Sequence, residues 1–223
     1  YQNRLSLLEK AFRRFNDEAA LDQFCRENSS WLSDFALYMA LKDENCGAPW
    51  YIWEAPLKTR DPDALWQARQ RLKTKIRFYS FVQYLFYQQW NELREYAHEN
   101  DIRIIGDVPI YVPLDSADVW AVPELFQLDE QRRPEVVAGC PPDAFTDKGQ
   151  LWGNPVYNWK ALKEDGYGWW KQRIKSSLEI YDILRIDHFR GFESFYCIKY
   201  GAEDAKNGKW RKGPGVDLFK EVE

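Results

Sequence analysis

Two short apolar segments that each end in an aspartate constrain the fold of this chain more than any other feature. Residues 102–108 contain Asp107 near their end, and residues 183–187 end in Asp187. Both segments are rich in β-branched residues and predict strands buried on both faces, and each follows a stretch with helical periodicity. This alternation predicts a parallel α/β sheet, either a barrel or an open doubly wound sheet. In a parallel α/β barrel, catalytic groups gather at the carboxyl ends of the strands.

Helical periodicity accounts for most of the chain before the first strand. Apolar residues recur at helical spacing through residues 12–40, and a longer pattern predicts one helix over residues 64–98. Residues 46–63 interrupt this pattern with glycine and proline. We therefore expect a loop there that carries exposed aromatic side chains.

The stretch that follows the first strand has a different character. Residues 109–159 contain seven prolines and little periodicity, and irregular stretches of this length in compact domains are usually functional or disordered. Their aromatic and apolar content favours an ordered, functional loop. A helix is expected over residues 168–180, and a polar, turn-rich loop at 205–215 should precede a short helix at 216–223.

Aromatic content is the compositional feature that bears on function. The chain has 11 Trp, 13 Tyr and 13 Phe, which together make 17% of its residues. Flat rings can stack on the apolar faces of sugars while nearby carboxylates and amides bind the hydroxyls, so carbohydrate is the substrate class suggested. The alternative is that the rings serve packing, and composition does not decide between the two.

Several function classes are disfavoured. The net charge of -4 gives no electrostatic reason to bind nucleic acid or an anionic membrane, and no apolar run approaches the roughly 20 residues of a membrane span. No glycine-rich nucleotide-binding motif is present. We expect no cofactor, no metal site and no disulfide framework, but free buried thiols in a reducing cytoplasm. The cysteines that carry this expectation are widely spaced at Cys25, Cys46, Cys140 and Cys197.

The segment around Asp187 places a carboxylate between two guanidiniums and beside an imidazole. Residues alternate across a strand, so Arg185 and Asp187 should point to the same face and can pair. Neighbouring arginines favour an ionised carboxylate, which suits a nucleophile or an electrostatic stabiliser better than a general acid. The alternative is a structural salt bridge at the rim of the sheet.

Five runs in order closely resemble the 4-alpha-glucanotransferase family, also called amylomaltase or disproportionating enzyme. They occupy residues 106–112 (GDVPIYV), 115–120 (DSADVW), 138–145 (AGCPPDAF), 149–155 (GQLWGNP) and 185–191 (RIDHFRG). The resemblance extends over nearly the whole chain. It implies a (β/α)8 TIM barrel with helical and loop insertions. Residues 1–98 would be mainly a helical insertion and a barrel helix, and residues 99–223 would hold barrel strands with the active-site loop 109–159.

The family resemblance also implies an activity and a set of roles. Members pass a segment of an α-1,4-glucan, such as amylose or a maltooligosaccharide, to the 4-hydroxyl of another glucan with retention. By motif, Asp187 matches the nucleophile and Arg185 the residue that orients it. The matching substrate-binding positions are Asp107, His188, Asp143, Phe145, Gln150, Trp152 and Asn154. Some members have an aromatic residue where this chain has Ala144, so stacking from that position is absent here.

A retaining mechanism requires a second carboxyl group about 5–5.5 Å from the nucleophile. In the family this glutamate follows the next barrel strand, and we identify no matching position in the chain; Glu124 and Glu193 do not fit it. The chain also begins with Tyr1 and its one methionine is Met39. We therefore expect a central fragment of a longer cytoplasmic enzyme. The alternatives are an amylase-like α-glucan hydrolase and a catalytically inactive glucan-binding fragment.

Overall fold

The computed structural model of the chain describes residues 2–222, with side chains from residue 4 onward. The chain divides into two compact units, residues 1–96 and residues 97–223. The described part of the first unit is helical. Its helices are α1 (Gln2–Arg14), α2 (Glu18–Glu27), α3 (Leu32–Glu44), α4 (Ala55–Lys58), α5 (Pro62–Arg71) and α6 (Lys73–Glu99), the last of which continues into the second unit.

Aspartate caps set where two of these helices begin. The Asp17 carboxylate accepts a hydrogen bond from the Ala20 N–H at the start of α2, and Asp61 accepts one from Ala64 at the start of α5. Such caps satisfy backbone donors that a helix leaves unpaired at its first turn. The packed faces of the helices form two apolar clusters, whose buried members are Leu21, Phe24, Leu32 and Phe81 in one and Ala36, Ala40, Phe78 and Tyr79 in the other.

Two predictions for this unit are wrong. The single helix expected over 64–98 is divided at Leu72 into α5 and α6. Helix α5 is tied to α3 by the Arg69–Asp34 and Arg71–Glu44 salt bridges. The aromatic side chains of the 46–63 segment are also less exposed than expected. Trp50 is fully buried, and Trp53 is buried with its indole N–H donating to the Ala48 carbonyl.

The second unit combines helices with two small sheets. Its described elements after α6 are β1 (Ile105–Val108), α7 (Ala117–Ala121), β2 (Val136–Cys140), β3 (Gln150–Pro155), α8 (Trp159–Glu164), α9 (Gly168–Ile180), β4 (Ile183–Ile186), β5 (Ser194–Lys199), β6 (Lys209–Lys212) and α10 (Val216–Val222). The helix expected over 168–180 is confirmed. The short helix expected at 216–223 is confirmed as far as Val222.

The two predicted strands form and pair in parallel as β1 and β4. The first begins later than expected, because the Ile104 N–H donates to the Asp182 carboxylate instead of joining the ladder. Burial on both faces is wrong for these strands, since Ile105 is 64% and Ile183 is 43% exposed. Gly106 is required in β1, because a Cβ there would lie 2.0 Å from the Tyr181 ring.

The prediction of an irregular loop over 109–159 is wrong. Strands β2 and β3 lie within it, and together with β5 and β6 they form an antiparallel sheet in the order β3-β2-β5-β6. A Cβ at Gly139 would lie 2.1 Å from the Gln150 carbonyl oxygen, so glycine permits this close pairing. The 205–215 segment likewise contains β6 rather than turns alone.

The expectation of an α/β fold is confirmed, and the antiparallel sheet was not expected. The described residues contain one parallel pair and one antiparallel sheet, and they form no closed barrel. Within residues 2–222, no helix is both long enough and apolar enough to span a bilayer.

Candidate active site

A single guanidinium holds the two aspartates of the parallel strands together. Arg185 Nη1 lies 2.5 Å from Asp107 Oδ2, and Arg185 Nη2 lies 2.8 Å from Asp187 Oδ1. The three side chains are more than half exposed. The pairing of Arg185 with Asp187 that the alternation predicts is therefore confirmed.

Strand register explains why all three charges meet. Asp107 of β1 lies directly opposite Arg185 of β4, and Asp187 follows Arg185 by two positions, so the three side chains share one face. The Asp187 N–H donates to the Val108 carbonyl at 2.9 Å, which continues the pairing one residue past the strand. The cluster thus lies at the carboxyl ends of both strands, where the sequence predicts it.

His188 turns away from the strand directly after Asp187. Its backbone is left-handed, with φ 51° and ψ 44°, and its Nε2 is buried without a hydrogen-bond partner among the described residues. Burial is the main cause that lowers the pKa of His188; Arg190 adds to this effect and Asp187 opposes it. At neutral pH this imidazole is therefore uncharged and can offer an acceptor or a donor to a hydroxyl.

An aromatic wall connects His188 with the antiparallel sheet. The Trp152 ring of β3 meets the His188 ring edge-on, with centroids 4.9 Å apart, and lies 6.2 Å from the Tyr111 ring. The Trp152 indole N–H donates to the Gln150 side-chain oxygen at 2.9 Å, which holds the ring in place. The structure therefore brings Trp152 and Gln150 to the same site as His188.

Of the other three predicted binding residues, Asn154 ties β3 to the segment after β1, and Asp143 and Phe145 lie in one turn. Asn154 donates to the Val112 carbonyl at 3.0 Å. Asp143 closes a turn by accepting hydrogen bonds from the Phe145 and Thr146 N–H groups at 2.9 and 3.0 Å. Phe145 is 98% exposed. Described contacts do not join these three side chains to the Arg185 cluster.

Sequence reasoning missed Arg173, which supports the segment after β1. From α9, its guanidinium donates to the Pro109 carbonyl at 2.6 Å, to the Ile110 carbonyl at 3.3 Å and to the Tyr157 hydroxyl at 3.0 Å. The Tyr157 hydroxyl in turn donates to the Ile110 carbonyl at 2.7 Å, and burial raises the pKa of this tyrosine. A basic residue within a tryptophan-rich helix was the available signal, since guanidinium groups stack on aromatic rings.

The sequence matches the family profile described as 4-alpha-glucanotransferase over residues 1–223. The chain belongs to this family. Curated members include the Aquifex aeolicus 4-alpha-glucanotransferase, 49% identical over 222 residues, and the Thermus thermophilus 4-alpha-glucanotransferase, 45% identical over 222 residues. These alignments cover 100% and 97% of this chain, and 46% and 44% of the relatives. The glucanotransferase-family chain thus spans about half the length of the curated relatives it matches.

Solved amylomaltase structures resemble the glucanotransferase-family chain closely. The amylomaltase of Streptococcus agalactiae, solved in complex with acarbose, matches with a TM-score of 0.95 and 43% identity, over 100% of this chain and 46% of that one. The amylomaltase of Corynebacterium glutamicum matches with a TM-score of 0.78 and 21% identity, over 100% of this chain and 29% of that one, and this likeness concerns the fold alone.

Potential metal ligands do not cluster in the described part of this family member: no group of three or more His, Cys, Asp or Glu side chains could hold an ion there. The four cysteines are free thiols. The expectation that they are buried holds for Cys197, whose pKa burial raises to about 11, and is wrong for Cys46, which is exposed.

Proposed function

We propose that this chain is part of a 4-alpha-glucanotransferase that transfers an α-1,4-glucan segment to the 4-hydroxyl of another glucan by a retaining double displacement. The proposal rests mainly on one observation, the Arg185 guanidinium that holds Asp107 and Asp187 on one face at the strand ends. Family membership supports it. In this proposal β1 and β4 are neighbouring strands of a (β/α)8 barrel, and the helices of residues 1–98 are mainly an insertion.

Asp187 is the proposed nucleophile. Its Oδ1 is occupied by Arg185, while no described residue donates a hydrogen bond to its Oδ2. That oxygen is therefore available to attack the anomeric carbon of a bound glucan and form the covalent glycosyl-enzyme intermediate. Arg185 positions the Asp187 carboxylate, because its planar guanidinium binds Asp107 Oδ2 and Asp187 Oδ1 at the same time.

Neighbouring groups are proposed to bind the glucose units at the cleavage point. Asp107 and the neutral His188 present polar atoms to sugar hydroxyls, and Trp152 presents a ring to an apolar sugar face. Gln150 orients Trp152. In the proposal, Asp143, Phe145 and Asn154 contribute from the adjoining loop and strand.

A retaining mechanism also needs an acid/base carboxyl group about 5–5.5 Å from the nucleophile. Glu193 accepts a hydrogen bond from the Ser194 hydroxyl, and we assign the acid/base role neither to it nor to Glu124. Since the chain spans 46% of its Aquifex relative, we propose that the 223 residues alone do not turn over and that a protein of family length does.

Incubation with maltotriose tests the proposal. The 223-residue chain and a family-length protein carrying it are assayed in parallel, and glucose and longer maltooligosaccharides are separated by chromatography. A ladder of longer products from the family-length protein alone is expected. Glucose and maltose without longer products would show that the protein hydrolyses the glucan instead of transferring it. A ladder from the 223 residues would show that the acid/base lies within them.

The remaining assignments follow from the same chemistry. The proposed partners are maltooligosaccharides, amylose and other α-1,4-glucans, and the acarbose in the Streptococcus agalactiae complex is consistent with a sugar-binding cleft. A cytoplasmic location remains our proposal, supported by the four free thiols. The Solanum tuberosum relative, 43% identical over 204 residues, is named chloroplastic/amyloplastic, so fractionation of the source cells is the direct test.

A further inference from the structure

Trp210 is exposed in a way that the packed tryptophans are not. It lies on β6, the edge strand of the antiparallel sheet, and is 42% exposed. Its indole N–H donates to no described residue, whereas the indoles of Trp53 and Trp152 are both satisfied. Part of the indole and an unpartnered donor are thus open to solvent at the same position.

Arg190 supplies further donors beside this ring. Its guanidinium carbon lies 4.4 Å from the centre of the Trp210 ring. Within residues 2–222 it forms no salt bridge with a carboxylate and its side chain donates no hydrogen bond. A stacked guanidinium keeps its in-plane N–H groups available, and these suit hydroxyl acceptors.

The Arg190–Trp210 pair adjoins the candidate active site. Arg190 follows Asp187 by three residues, in the short 3-10 turn Phe189–Phe192. Its charge acts on two groups of the site: it helps to lower the pKa of His188, and it opposes the rise that burial causes in the pKa of the Cys140 thiol. Cys140 pairs across β2 and β3 with Gln150, which holds Trp152. Arg190 therefore lies within electrostatic reach of the residues that form and support the His188–Trp152 wall.

The ring of Trp210 is held in place by a buried neighbour. Tyr196 of β5 lies opposite Trp210 in register, and their ring centroids are 5.4 Å apart at 63°. The Tyr196 hydroxyl donates to the Ala205 carbonyl at 2.8 Å in buried surroundings. Because the platform is ordered before a ligand arrives, binding to it has little conformational entropy to lose.

We propose that Trp210 and Arg190 form an additional glucan subsite that takes one glucose unit of a longer chain. The apolar face of the sugar packs on the exposed part of the indole, and its hydroxyls accept hydrogen bonds from the Arg190 guanidinium and the Trp210 N–H. The inference rests on the proposed function, and it adds a residue pair that selects for glucan length. In this proposal maltotriose occupies the sugar positions around Asp187, and longer glucans extend to the Arg190–Trp210 pair.

The test uses the family-length protein with three substitutions, two at Trp210 and one at the exposed control residue Trp66. Trp210→Ala removes the platform, Trp210→Phe keeps a ring without the donor, and Trp66→Ala is the control, since Trp66 is 63% exposed on α5 in the other unit. Kinetics are measured with maltotriose and with maltoheptaose, and maltoheptaose binding by calorimetry. Trp210→Ala should raise KM and Kd for maltoheptaose about tenfold, with kcat and the maltotriose constants within about twofold.

Trp210→Phe should recover most of the lost affinity, and Trp66→Ala should match the unsubstituted protein. Equal maltoheptaose constants for Trp210→Ala and Trp66→Ala would overturn the subsite. If Trp210→Ala lowers the melting temperature, Trp210→Leu replaces it, because leucine keeps apolar bulk on Tyr196 without an aromatic face. Absence of transfer by the unsubstituted protein would overturn the proposed function, and calorimetry would still decide the subsite.

Discussion

Arg185 and Arg173 each join two segments of the second unit, but in opposite surroundings. Arg185 bridges two carboxylates, Asp107 and Asp187, at an open strand end. Arg173 donates to main-chain carbonyls and to Tyr157, and its guanidinium carbon lies 5.3 and 5.1 Å from the ring centres of Trp169 and Trp170. One guanidinium organises charge in water, and the other satisfies backbone acceptors inside an aromatic cluster.

The two arginines therefore have different roles: Arg185 positions charged side chains, whereas Arg173 contributes to the stability of the fold. An exposed ion pair contributes about 0–1 kcal/mol to folding, because solvent screens it, so Arg185 holds Asp187 in place with little effect on the free energy of unfolding. Removal of a partly buried donor leaves its acceptors unsatisfied, which costs about 1–3 kcal/mol for each group. Arg173 therefore supports the backbone on which the charged cluster stands.

The largest expected effect is on activity at the exposed cluster. Asp187→Asn in the family-length protein should lower transfer from maltotriose about 10⁴-fold or more, because the amide cannot form the glycosyl-enzyme bond. The urea midpoint should stay unchanged, since the side chain is exposed and an amide oxygen still accepts from Arg185. Asp101→Asn is the control, and retention of more than about one hundredth of the activity would remove Asp187 from the nucleophile role.

The next effect is on stability and contrasts the two arginines directly. Arg173→Met should lower the free energy of unfolding by about 1–3 kcal/mol, because the Pro109 carbonyl loses its donor, while the Ile110 carbonyl keeps the Tyr157 hydroxyl. Arg185→Met should change it by less than about 1 kcal/mol. Urea denaturation followed by circular dichroism measures both. A larger loss of unfolding free energy for Arg185→Met than for Arg173→Met would contradict the conclusion that Arg185 positions charged groups and Arg173 stabilises the fold.

A smaller effect concerns the pH dependence of stability. Burial lowers the pKa of His188 below its ordinary value of 6.5, so around and below that pH the unfolded chain binds more protons at this position than the folded one. Stability should therefore fall as the pH drops through 6.5. His188→Asn, which tolerates the left-handed backbone, should remove this contribution.

Urea midpoints of the unsubstituted and His188→Asn proteins at about pH 7.5 and about pH 5.5 give the comparison. The unsubstituted protein should lose more stability between the two conditions than the variant. Equal losses would mean that His188 titrates alike in the folded and unfolded states, despite Asp187 and Arg190 beside it.

The smallest expected effect is at Phe145. Because this ring is almost wholly exposed, Phe145→Ala should change the free energy of unfolding by less than about 0.5 kcal/mol. Phe126→Ala is the matched contrast within the same stretch, since the Phe126 ring packs on Tyr157 and Trp169. Its loss should cost about 3–5 kcal/mol. Equal effects of the two substitutions on urea denaturation would contradict the division of this stretch into packed rings such as Phe126 and exposed rings such as Phe145.

Local patterns in the sequence predicted part of this site. Alternation along one strand placed Arg185 and Asp187 on a common face, and their 2.8 Å contact confirms it. The ring contact between Trp152 and His188 joins β3 to the turn that follows β4, and no spacing rule connects positions so far apart in sequence. The antiparallel sheet was missed for a related reason, because β2 contains Gly139 and lacks the alternation that marks a half-buried strand.

The amino-acid sequence by itself determined the parallel strands, the aspartates near their ends, the helix over 168–180 and, through five motifs, the family. These depend on local preferences, which act within a few residues. Only the tertiary structure decided that Asp107 lies opposite Arg185, that Arg173 supports the backbone after β1, and that Trp210 stays exposed beside Arg190. Strand register and burial depend on contacts between distant segments, whose partners are chosen by packing and hydrogen bonding of the folded chain as a whole.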